Sequence, residues 1–250
     1  MSFFYLQNSK IDAGKAEVEK ANQPIIVVLN YLEENLQAFA KDESLKGILN
    51  EKGLTQRLVR QLNINLSDEF PFIFDKEGME DEATGASAEI DIDVISKELI
   101  QVCSKHYKRG GRFFAFETKI LGVKENYRQK EYVVGYDKIV NGKLTHINCG
   151  GIERFKKGIH GNGLSFAGMI GYVLREGFDF WQGKIDLWIN DLINTNIDTT
   201  IEWSASDKLV PSGTTNSIIA KFISSNSRIK ERNKIAPITL YHLWVNLFQG

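Results

Sequence analysis

Two short segments constrain this fold more than any other part of the chain. The run Arg112-Phe113-Phe114-Ala115-Phe116-Glu117-Thr118-Lys119-Ile120 reads as a buried strand that ends by presenting Glu117 and Lys119 two positions apart. Residues i and i+2 of a strand share a face, so the carboxylate and the ammonium project side by side, about 6–7 Å apart at their Cα atoms. Upstream, residues 88–95 alternate, with Glu89, Asp91 and Asp93 on one face and Ile90, Ile92 and Val94 on the other. Buried charge is costly unless it is paired or bound. Two such strands are therefore expected to lie together and gather their carboxylates around one lysine.

The surrounding sequence supplies the layers. Ile25, Val28, Leu29, Leu32, Leu36 and Phe39 fall at helical spacing, and a second helix is expected over residues 54–62, with Glu51 just before it. Between residues 64 and 93 ten acids face a single base, Lys76, and this stretch is expected to be mostly solvated loop. A short helix is expected over residues 96–107 and a turn-rich insertion around Asn141-Gly142. Residues 152–157 read as a helix carrying Arg154, Lys156 and Lys157. Residues 166–174 are an almost unbroken apolar run suited to a central strand. An amphipathic helix over 178–193 and late strands over 199–203, 217–223 and 238–248 complete the order. This pattern argues a mixed α/β (α+β) fold, one central mixed sheet flanked by helices. Residues 1–63 would form a helical segment packed on a core of residues 64–250, or all 250 residues one continuous domain.

The net charge of −1 gives no global basic field, which weighs against a passive nucleic-acid coat and hardly against an enzyme with a local groove. No apolar run approaches the length needed to cross a bilayer, and the first residues lack a secretion signal, so a cytoplasmic location is expected. Cys103 and Cys149 are too few for a disulfide framework or a zinc cage. The four histidines show no metal-ligand spacing.

Asp91 and Glu117 on neighbouring strands offer oxygen ligands for a divalent ion, and Lys119 a cation beside it. That combination suits phosphodiester hydrolysis. Asp91 and Asp93 share a face, so the strand ligand is ambiguous between them, with Asp91 favoured. Glu51 before its helix, Asp91-Ile92-Asp93-Val94, and Phe114-Ala115-Phe116-Glu117-Thr118-Lys119 together resemble the PD-(D/E)xK nuclease superfamily, the restriction-endonuclease-like fold. Ile90 stands where the motif name places proline. Residues 131–133, 151–158 and 167–173 further resemble small bacterial members associated with defence against phage. The resemblance implies Asp91, Glu117 and Glu51 as metal ligands, Lys119 as the catalytic lysine, Mg²⁺ as cofactor with Mn²⁺ able to substitute, and double-stranded DNA as substrate. A homodimer, or an operon-encoded sensor or ATPase partner, fits the same likeness. Lys124, Arg128, Lys130, Arg154, Lys156 and Lys157 are the candidate nucleic-acid contacts. Neutralising Asp91 or Glu117 is expected to cut cleavage by orders of magnitude and to leave stability unchanged or slightly raised, because it relieves repulsion.

Overall fold

The Phe-rich run and the acidic run form adjacent antiparallel strands, in a computed structural model that describes residues 23–80, 88–195 and 200–247. They are β5 (Arg112–Leu121) and β2 (Glu89–Ser96). Phe113, Phe114 and Phe116 are fully buried, as are Ile90, Ile92 and Val94, so the alternation on both strands is spent on one core.

Beyond β2 lies β1 (Phe72–Met79), paired antiparallel with it. On the other side β5 runs parallel to β8 (Phe166–Val173), which runs parallel to β11 (Asn233–Asn246). The sheet then continues antiparallel through β10 (Ile219–Lys230) to the two-residue β9 (Val210–Pro211). The order across the seven strands is β1-β2-β5-β8-β11-β10-β9, a mixed sheet with a parallel centre. Two separate ribbons hang from it: β3–β4 (Ile100–Val102 and Lys105–Tyr107) and β6–β7 (Tyr136–Val140 and Lys143–Ile147).

The helices are α1 (Gln23–Phe39), α2 (Glu51–Asn65), α3 (Gly151–Lys156) and α4 (Phe178–Thr195). Thr118 Oγ1 lies 2.9 Å from Thr55 Oγ1 on α2, whereas Glu117, one residue earlier, meets Arg154 on α3. Successive strand residues point to opposite faces, so α2 and α3 flank opposite faces of the sheet. The apolar sides of α1 and α2 join the same core as the sheet. Two glycines let β8 sit at its centre: a Cβ at Gly168 would meet the Phe116 ring at 2.1 Å, and one at Gly171 would meet Trp244 at 2.4 Å.

Four expectations are corrected. Residues 72–79 are strand rather than loop, because Phe72 and Phe74 bury one face while Ile73 and Asp75 stay exposed on the other. Residues 100–107 form the β3–β4 hairpin rather than a helix, with Cys103 at φ 52 in its turn. The insertion around Asn141-Gly142 is the ordered β6–β7 hairpin. Residues 200–203 are not strand, although Ile201 and Trp203 are buried in alternation. Residues 1–22, 81–87, 196–199 and 248–250 of the expected segments lie outside the described residues. No helix among the described residues is long and apolar enough to cross a membrane.

Candidate active site

The β2–β5 ladder ends at Ile92 and Phe116, and one step further on the two strands no longer pair. The Asp91 carboxylate takes over there, accepting from the Thr118 backbone N–H at 2.7 Å and from Thr118 Oγ1 at 3.0 Å. On the other edge β5 stays paired with β8 as far as Leu121. One end of β5 is thereby opened while its backbone remains fixed, and the cluster sits at that opening.

Lys119 Nζ donates to Glu117 Oε1 at 2.8 Å, to Glu51 Oε1 at 3.2 Å and to the Thr118 carbonyl at 2.9 Å. Glu51 reaches it from the first turn of α2, whose N-cap Asn50 accepts from the Gly53 N–H at 2.8 Å. Arg154 Nη1 of α3 donates to the same Glu117 Oε1 at 3.1 Å. Glu117 is fully buried, Lys119 nearly so and Asp91 half-buried.

A residue that the sequence did not single out completes the enclosure. His160 is buried, with Nε2 3.2 Å from Glu117 Oε2 and Nδ1 3.6 Å from Glu80 Oε1. Its Nε2 is also 3.0 Å from Arg154 Nη1, a contact that only a neutral ring could accept. Burial works against the charged ring, but the Glu117 and Glu80 carboxylates outweigh it, with Arg154 opposing them, and raise the His160 pKa above its ordinary value. The Glu117 contact is poorly aligned, and Glu117 Oε2 is left buried without a hydrogen bond. Glu80 also accepts from the Gly161 N–H at 2.8 Å and from Arg112 at 2.6 Å, and Arg112 lies 3.2 Å from Asp93. This places Asp91 beside Glu117 and Lys119, and commits Asp93 to Arg112.

The electrostatics separate the two strand acids. Burial works against the Glu117 charge, but Lys119, His160 and Arg154 outweigh it and hold the carboxyl well below the usual range. Burial, then repulsion from Glu117, pushes Asp91 up to about 6, with Lys119 opposing. Lys119 is held above its ordinary value because Glu117, Glu51 and Asp91 more than offset burial. The expected equal tolerance of neutralisation is thus revised. Glu117→Gln breaks buried ion contacts and should cost about 3 kcal/mol in denaturant unfolding. Asp91→Asn should hold or raise stability. A folded pKa above the unfolded one means that the folded state keeps its proton longer. The Asp91 share of stability is therefore full below 3.8 and is lost as pH rises towards about 6. Asp91→Asn should remove that share of the decline.

The cluster opens into a groove of about 490 Å³ whose walls include Glu51, Asp91, Lys119, Arg128 and Arg154. A second cavity of about 620 Å³ adjoins it through Glu51, Lys52, Arg128 and Glu131, and brings in Lys124 and Arg175. Among the candidate contacts, Lys124 and Arg154 lie along this path. Arg128 does too, although it is held by Glu131 at 2.8 and 2.9 Å. Lys130 and Lys157 line a different cavity. Lys156 is corrected outright: it is fully buried, with Nζ 2.7 Å from Asp207, and presents nothing to solvent. Lys52 and Arg175 were not foreseen, since each is an isolated base in sequence.

Among the described residues, no group of three or more His, Cys, Asp or Glu is already placed to hold a metal ion. The donor chemistry nevertheless fits a hard divalent cation. Asp91 and Glu51 offer carboxylate oxygens to the groove, and Glu117 Oε2 is a buried oxygen without a hydrogen bond. Lys119 Nζ bridges Glu51 and Glu117. Compared with family models, with curated proteins and with solved structures, the chain gives no match.

Proposed function

We propose that the chain is a divalent-metal-dependent nuclease of the PD-(D/E)xK kind, hydrolysing phosphodiester bonds of DNA, with a role in bacterial defence against phage. The observation that carries this reading is the meeting of Asp91, Glu117 and Lys119 where β2 and β5 part, with Glu51 delivered from α2. Asp91, Glu117 and Glu51 would hold Mg²⁺, or Mn²⁺ in its place. The bound ion would supply Lewis-acid charge at the phosphate. Lys119 sets a cation beside the reacting phosphate, where added negative charge develops. Arg154 and His160 fix the Glu117 carboxylate. Lys52, Lys124, Arg128 and Arg175 line the path along which a phosphate backbone would run.

One observation favours a second reading, a nuclease-fold module that binds nucleic acid or a protein without cutting. Glu117 is fully buried with Lys119, Arg154 and His160 within 3.2 Å, and a carboxylate already surrounded by these groups gains less from a metal. Incubating plasmid and linear DNA with the protein and Mg²⁺, Mn²⁺ or Ca²⁺ separates the two. Cleavage with Mg²⁺ and Mn²⁺ and little with Ca²⁺ is expected, because the looser Ca²⁺ coordination positions water poorly. DNA retention without cleavage under all three ions would establish the second reading.

A further inference from the structure

A cavity of about 570 Å³ lies on the far side of Tyr136 from the carboxylate groove. Its volume falls in the range that holds small organic ligands. Tyr136, Trp203, Ile201, Leu192 and Val134 give it aromatic and aliphatic walls. The Trp203 ring is itself held from one side by Lys156, whose Nζ stands 5.0 Å from the ring centroid.

The polar groups of the cavity are tied to one another. His146 bridges Asp137 and Glu153 at 2.7 Å each, and Lys157 Nζ bonds Glu153 at 2.8 Å and Asn148 Oδ1 at 2.7 Å. The hydrogen bond on Asn148 Oδ1 leaves its Nδ2 donors uncommitted to any described residue. Lys130 stands exposed at the rim. The result is an apolar-walled slot with one amide donor and a peripheral cation, in which Glu153 is paired with Lys157.

Location decides what such a slot would take. Tyr136 walls both spaces, and two consecutive residues of α3 divide between them: Glu153 lines the slot, whereas Arg154 lines the groove and holds Glu117. A chain molecule lying in the groove would pass Tyr136, the residue that the two spaces share. We propose that the cavity is a base-binding subsite, taking one unpaired nucleobase of a strand whose phosphate lies at the Asp91–Glu117–Lys119 cluster. Tyr136 and Trp203 supply the apolar faces, Asn148 meets the base edge, and Lys130 faces a neighbouring phosphate. The inference rests on the nuclease reading. It narrows the substrate to single-stranded or locally opened DNA, because a base inside an intact duplex cannot enter a slot.

Binding measured without divalent metal keeps this test apart from cleavage. A fluorescently labelled thymidine oligomer of about 12 nucleotides, within the span of common single-strand sites, and a fully paired hairpin of equal charge, its loop replaced by a base-free ethylene-glycol linker, would be titrated with the full chain. Tyr136→Ala and Trp203→Leu are each expected to weaken the oligomer about tenfold, the scale of one lost base stack. Trp203→Phe should stay near wild type, and hairpin binding should not change. If Trp203→Leu fails to fold in a thermal melt, Tyr136→Ala decides, since its side chain is only half-buried. Unchanged oligomer affinity in Tyr136→Ala, or an equal loss for the hairpin, overturns the subsite. A chain that cuts DNA with Mg²⁺ yet shows either result loses the subsite alone. One that shows the expected losses but never cuts keeps the subsite and loses the nuclease reading.

Discussion

Lys119→Ala should lower Mg²⁺-dependent cleavage at least about a hundredfold, the scale on which removing one transition-state stabiliser or water-activating group acts. Metal binding should survive, for a reason visible in the geometry. The Lys119 ammonium now occupies the space among Glu51, Glu117 and Asp91, contacting the first two at 3.2 and 2.8 Å. Removing it leaves three carboxylates with less positive charge between them, so a divalent ion should bind as well or better. Calorimetric titration of Mg²⁺ and a plasmid-nicking time course on one preparation check both halves. Wild-type cleavage by Lys119→Ala would remove the proposed role of this motif. Loss of metal binding together with cleavage would mean that Lys119 organises the carboxylates rather than assisting the chemistry.

Stability should respond most to a pair remote from those carboxylates. Lys156 and Asp207 are both fully buried and meet at 2.7 Å. Burial lowers the pKa of Lys156 and raises that of Asp207, so their attraction does not fully repay the loss of water. Asp207→Ala strands an ammonium in the interior and also removes the acceptor of the Ser204 N–H, 2.7 Å away. A loss of about 3–5 kcal/mol is expected in denaturant unfolding. Combining Lys156→Met with Asp207→Asn should restore most of it, because the amide oxygen can still accept from Ser204 and no charge remains buried. A double variant as unstable as Asp207→Ala would show that the pair contributes more than its own desolvation consumes.

The regular parts of the fold were legible where hydrophobic spacing was clean. β5 and β8 announced themselves by continuous apolar runs, β2 by strict alternation, and α4 by its stripe of Trp181, Ile185 and Ile189. β1 was hidden because Asp75, Lys76 and Glu77 lie in an acidic stretch. Its signal was the narrower alternation of Phe70, Phe72 and Phe74, which a composition window averages away. Ile201 and Trp203 alternate like a strand but find no strand to pair with. In the candidate site, Glu117, Lys119 and Asp91 were readable because they ride on those strands. His160, Glu80 and Arg112 were not, since their meeting depends on contacts across 80 residues of sequence. One local cue for His160 did exist: it lies in a turn bounded by Gly158 and Gly161, both at positive φ, where the chain reverses sharply enough to aim a short side chain inward.

The position of β11 carries a consequence for synthesis. Among the described strands it is the last made, yet it lies inside the sheet, between β8 and β10. β8 is complete at Val173, and β11 begins at Asn233. At about 5–20 residues per second, a ribosome needs several seconds to cover that interval. Throughout it, the edge of β8 that faces Trp244 in the finished sheet stays unpaired, and an unpaired apolar edge is a template for any other extended chain. The antiparallel pairing of β10 with β11 offers a remedy, because the two can form a local hairpin and dock as one unit. The yield of correctly assembled protein should then depend on how quickly that hairpin closes, and overproduction should aggregate nascent chains long before the finished protein reaches its own solubility limit.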